Sequence, residues 1–248
     1  MSDKCCKSEE IEKINAGIVF KHIFSANPKW IPERHLVLFT AISTVFLLSL
    51  LFIMYIGLWS SIENFDTMFL PLLALGAISS AIIIGTGYHF NAYKNPVSCA
   101  IGMMEGMSFG MMSGFIIGAL VGATNGMFWG CVVGMFASSV IGIWAGRCCG
   151  VMGVMEGMMG GIMGGTMGAM ISVMLLADPL PIFIALLVAM CSIVLIALAY
   201  MRIVEYGNIG SATNVGRLTS IASTSMIFFL LLTFFMIYGP KSGPVWGF

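Results

Sequence analysis

Apolar residues come in seven long runs divided by short polar breaks, after a polar and charged leader. The runs fall at about 36–58, 67–90, 98–123, 126–146, 150–175, 180–201 and 216–238. Each is near the ~20 residues that a helix needs to cross a hydrocarbon core. The pattern therefore predicts seven transmembrane helices. The stretch 102–150 cannot be a single helix, because at 1.5 Å per residue it would reach about 74 Å, against a core of about 30 Å. Asn125, in the sequence Ala-Thr-Asn-Gly, and Arg147-Cys148-Cys149 mark the two reversals.

Within the central runs a second pattern is laid over the first. Small residues recur at every fourth position: Gly102, Gly106, Gly110, Gly114, Gly118, Gly122, Gly126, Gly130, Gly134, Ser138, Gly142, Gly146 and Gly150. After a shorter step to Gly153 the rhythm resumes at Gly157, Gly161 and Gly165. In lipid no hydrophobic force draws helices together, and small residues at this spacing let their backbones approach. Spans three to five are expected to form a glycine-zipper core, with the other four spans around it. The same glycines have two other uses: exposing backbone carbonyls to a pathway between helices, or self-association of the whole protein.

Met104–Gly114 matches Met155–Gly165 at seven of eleven positions, Glu105/Glu156 among them. Glycine and methionine are common here, so the shared glutamate carries most of the weight. The match defines a parallel repeat, 102–123 and 153–174, with one span between the copies.

Composition agrees with a membrane setting: 59% of residues are hydrophobic and 9% charged, and the mean hydropathy is +1.00. The net charge is zero, and no basic surface points to nucleic acid. Lys and Arg are placed unevenly. The leader holds Lys4, Lys7, Lys13, Lys21, Lys29 and Arg34; Lys94, Arg147, Arg202 and Arg217 follow the second, fourth and sixth spans. The loops after the first, third and fifth spans carry no Lys or Arg. Seven spans with the N-terminus cytoplasmic and the C-terminus outside satisfy this asymmetry, leaving Lys241 on the outer side. Residues 1–35 read as a cytoplasmic leader in which Ile11, Ile14 and Ile18 suit a short interfacial helix. Residues 36–238 form a single membrane domain, and 239–248 a short external tail.

Carboxylates inside a span are costly and functional by default, so Glu105 and Glu156 form a candidate proton or cation site. The structural alternative is an ion pair with Arg147, placed on the same side of the membrane. Met155, Met159, Met163 and Met167 make an i, i+4 ladder on one helix face, and Met103, Met107 and Met111 repeat the spacing on span three. Thioethers are soft ligands that select Cu(I), and Cys148 and Cys149 could receive the ion as thiolates. The spacing is similar in style to that of high-affinity copper transporters, whose compact three-span architecture this chain does not share. The competing role for these methionines is filling irregular gaps beside glycine. Cys5 and Cys6 suit either metal transfer or acylation.

No nucleophile–base pair, P-loop or dinucleotide fingerprint is present, so an enzyme is not expected. The expectation is an all-α integral membrane protein of the plasma membrane. Its function would be transport or binding of a soft metal ion, most readily Cu(I). The alternatives are a structural or assembly subunit of a larger membrane complex, and a proton or cation channel using the two glutamates. Its expected partners are the lipid bilayer and either copies of itself or other membrane subunits, with no nucleic acid.

Overall fold

The computed structural model describes residues 31–54, 65–92, 99–175, 179–206 and 218–240. These form helices α1 (Ile31–Met54), α2 (Phe65–Ala92), α3 (Cys99–Asn125) and α4 (Met127–Gly146), a 3-10 turn at Arg147–Cys149, then α5 (Gly150–Met174), α6 (Leu180–Tyr206) and α7 (Leu218–Tyr238). Five stretches are long and apolar enough to cross a membrane: Leu70–Asn91, Cys99–Asn125, Met127–Met174, Leu180–Ala199 and Ser220–Tyr238. Met127–Met174 runs through both α4 and α5, and α1 holds a shorter apolar segment, Thr40–Phe52. This is the build of a helical membrane protein. The expected leader helix, Cys5, Cys6, and the loop and tail charges Lys94, Asp178, Arg217 and Lys241 lie outside the described residues.

Both reversals fall where the sequence breaks its apolar pattern. A single residue, Gly126, separates α3 from α4, and its φ of 93° belongs to the left-handed side that glycine enters without steric penalty. Its amide donates to the carbonyl of Gly122 at 3.1 Å. Asn125 ties this corner to α7, its Nδ2 donating to the Phe235 carbonyl at 2.6 Å. At the other end, Gly150 (φ 69°) follows the Arg147–Cys149 turn and caps it through an N–H to the Arg147 carbonyl.

Helices α3, α4 and α5 meet through their backbones. A Cβ built on Gly106 would lie 2.9 Å from the Cα of Gly146, and one on Gly110 2.7 Å from the carbonyl oxygen of Gly157. One on Gly114 would lie 2.6 Å from the amide nitrogen of Gly165, and one on Gly134 3.0 Å from the Cα atoms of both Gly118 and Gly165. Each four-residue step along α3 thus meets a small residue on α4 and another on α5. The step without glycine is Ser138, whose hydroxyl donates to the Gly161 carbonyl at 2.7 Å and also reaches the Gly134 carbonyl of its own helix.

The opposite face of α3 is built differently. There Phe109, Ile116, Ile117 and Leu120 pack into a side-chain core with Leu72, Leu73 and Ile83 of α2, Ile184 and Leu195 of α6, and Phe229 and Met236 of α7. Hydroxyl bonds add to it: Ser43 to Ser225 at 2.7 Å joins α1 to α7, and Tyr88 to Ser220 at 2.9 Å joins α2 to α7. The four outer helices were expected to surround the glycine-rich unit. Instead α2, α6 and α7 pack on the side-chain face of α3, α1 packs on α2 and α7, and the outer faces of α4 and α5 stay exposed. The reason is that α3 packs on both of its faces, the small one against α4 and α5 and the large one against α2, α6 and α7.

Candidate functional site

Glu105 stands one residue off the glycine stripe of α3, which turns it away from α4 and α5 and toward α6. Arg202 stands on α6 as the next step of a buried stripe, Ile184, Val188, Cys191, Leu195 and Leu198. Its Nε donates to both Glu105 oxygens at 2.7 and 2.9 Å, and its Nη2 donates to Oε2 at 2.6 Å. Nη1 donates to the carbonyl of Phe90 on α2 at 2.6 Å, and the guanidinium lies 5.0 Å from the Phe90 ring centroid. Phe90 in turn meets Phe109 of α3 edge-on, with centroids 5.2 Å apart. Both charged side chains are buried. A carboxylate held by two prongs is committed to its partner, and a cation could reach it only by breaking the pair.

Arg147, the cation the sequence offered as partner, is exposed and lies 5.4 Å from the ring centroid of Trp144. The ion pair of Glu105 is with Arg202 instead. The apolar run ending at 201 leaves Arg202 as a loop residue, whereas α6 continues to Tyr206. The signal that could have found it is the four-and-three spacing of the buried α6 positions, which continues onto residue 202.

Met155, Met159, Met163 and Met167 point outward, each between 44% and 58% exposed. Met152, Met158, Met170 and Met174 share that outer surface of α5. The exposed surfaces of α6 and α7 are instead built largely of Ile, Leu and Phe, such as Ile182, Leu186, Ile193, Leu231 and Phe234. Among the described residues the ladder thus faces away from the helix contacts of the bundle. Cys148 is exposed and Cys149 half-buried at the N-terminal end of α5, so the two thiols stand at the head of the methionine surface.

Met103, Met107 and Met111 are partly buried at the seam where α3 meets α5. A Cβ on Gly160 would lie 3.1 Å from the Cα of Met107, and one on Gly164 2.9 Å from the Cα of Met111. One step of four back along this register sets Glu156 opposite Met103. Glu156 is half-buried, and among the described residues no hydrogen bond or ion pair holds it. The two glutamates thus have different surroundings: Glu105 turns to α6, and Glu156 lies at the α3–α5 seam. Of the glycines expected at contacts, Gly106, Gly110, Gly114, Gly118, Gly157, Gly161 and Gly165 meet neighbouring backbones, and Gly102 is buried.

Among the described residues no three His, Cys, Asp or Glu side chains come together to hold a metal. A metal bound by these residues would rely on thioethers. No family model matches the chain, and no curated protein or solved structure was found to be similar to it.

Proposed function

We propose that this protein binds and moves a soft monovalent metal ion, Cu(I), through the membrane along the methionine surface of α5. The observation that carries the reading is the run of sulfur on one exposed helix face, from Cys148 through Met152, Met155, Met159, Met163 and Met167 to Met174. Thioethers at i, i+4 spacing offer a Cu(I) ion two sulfurs at each turn, and each site is weak enough to hand the ion on. Hard cations find no comparable oxygen cage among these side chains. In this reading all seven helices span the plasma membrane, with the N-terminus cytoplasmic and the C-terminus outside. The glycine-zipper core of α3, α4 and α5 is then the rigid support of the surface. Cys148 and Cys149 exchange the ion at the cytoplasmic end.

A second reading is favoured by the same exposed surface. Helices α4 and α5 present outer faces that stay exposed among the described residues, as a subunit awaiting other membrane subunits would do. The third reading, a channel titrating through both glutamates, is weakened by the pairing of Glu105 with Arg202.

The test is flux. The protein reconstituted in liposomes should move Cu(I) under reducing conditions, and the variant M155L/M159L/M163L/M167L should not. Flux equal in both would remove the methionine path. Absence of flux in both, with assembly of a larger complex, would favour the second reading.

A further inference from the structure

The two copies of the Met-Glu-Gly-Met sequence, at Met104–Met107 and Met155–Met158, place chemically equal glutamates in unequal settings. Glu105 is buried and its charge is answered by Arg202. Glu156 stands about 9 Å from the start of α5, inside a stretch apolar enough to cross a membrane. Among the described residues it has no counter-charge. A lone carboxylate at that depth is costly unless it faces water or a cation.

Its neighbours limit which cation that is. On its own helix Met152 lies four residues before it and Met159 three after, on the same side of α5. Across the seam the register with α3 sets it opposite Met103, with Met107 one turn further on. The one hard, charged ligand is thus surrounded by soft, neutral ones. Cu(I) held by thioethers alone carries an uncompensated positive charge in a medium of low dielectric constant. A single carboxylate beside it makes the complex neutral. A divalent ion would stay charged and would find too few oxygens.

We infer that Glu156, with Met103, Met152 and Met159, forms a charge-neutral site for a soft monovalent cation at the α3–α5 seam. Glu105, its counterpart in the other copy, is a structural residue that takes no ion. This rests on the soft-metal reading above and goes further, by naming where the ion stops and what balances its charge.

The experiment is Cu(I) titration of the full-length, detergent-solubilised protein, under reducing conditions, against a competing Cu(I) chelator. Four proteins are compared: wild type, E156Q, M103L/M152L and M155L/M159L/M163L/M167L. E156Q should weaken the tightest Cu(I) site at least about tenfold while the protein elutes as a single folded species. M103L/M152L should weaken the same site with the carboxylate intact. This second variant reads the site even if E156Q does not fold. Wild-type affinity in E156Q or in M103L/M152L, with binding lost in the quadruple Leu variant, overturns the seam site and leaves the methionine surface standing. No Cu(I) bound by the wild type overturns both.

Discussion

Arg202 on α6 grips Glu105 on α3 with two prongs, and its remaining Nη1 reaches the carbonyl of Phe90 on α2. One guanidinium thus joins three helices at one level of the bundle. It also joins the two ways in which α3 packs, because Glu105 adjoins Gly106, whose Cβ position meets the backbone of α4. A planar fork is needed for this, and a lysine would supply only a point charge.

Removing one partner should therefore destabilise far more than removing both. E105Q leaves a buried guanidinium without its carboxylate and should lose about 3–5 kcal/mol. The double variant E105L/R202M removes both charges and should recover most of that loss. R202K should fall between them. Thermal unfolding in detergent, followed by size-exclusion chromatography of heated samples, ranks the three.

The glycine contacts predict a second ordering. Gly118→Ala and Gly142→Ala would drive a methyl group into the opposing backbone, and each should cost roughly 1–3 kcal/mol. Gly150→Ala has open space around its Cβ, so its only penalty is its backbone conformation, φ 69° and ψ −150°, about 1–3 kcal/mol. A helix-contact variant should also loosen α4 against α5, read as faster disulfide trapping between cysteines introduced on the two helices. Gly150→Ala should not.

Ser138 gives a finer check. Ser138→Ala keeps the small size but loses the hydroxyl bond to the Gly161 carbonyl, and should cost about 0.5–1.5 kcal/mol. Ser138→Leu should prevent the three helices from closing. If alanine and leucine behaved alike in unfolding, the close approach at that level would be disproved.

Thiol labelling separates exposed from buried cysteines and tests the orientation. Cys148 is exposed and Cys191 buried. In a variant that keeps Cys148 alone, a membrane-impermeant maleimide should react only from the cytoplasmic face. A variant that keeps Cys191 alone should stay unlabelled until unfolded. Labelling of Cys148 from outside intact cells would reverse the proposed orientation.

Much of the fold could be read from the chain because two simple rules act on it. Apolar run length matches the helix ends to within a few residues over most of the described chain, although five stretches rather than seven are long and apolar enough to cross a membrane; Asn125-Gly126 marks a reversal that needs one left-handed residue. The four-residue glycine rhythm pointed to α3, α4 and α5 as neighbours, and their backbones do touch. Where α1, α2, α6 and α7 would sit was less legible. Nothing in the spacing of α3 says that its large face, with Phe109 and Leu120, would draw α2, α6 and α7 to one side, with α1 packed on α2 and α7. The partner of Glu105 was missed for a specific reason. Arginine at the end of an apolar run looks like a loop residue, yet α6 continues to Tyr206 and carries Arg202 inward. The outward direction of Met155 and Met159 was hidden as well. A helix with glycine on one face and methionine on another does not itself say which face meets a neighbour.

The central claim is that the exposed sulfur surface of α5 binds a soft metal. Metal content of the purified protein tests it most directly, after incubation with Cu(I) under reducing conditions and removal of unbound ion. Stoichiometric copper in the wild type, lost in M155L/M159L/M163L/M167L with the fold retained, is the predicted result. Wild type without copper, or a quadruple variant with as much as the wild type, would contradict it and leave those methionines as surface for lipid or for a partner helix.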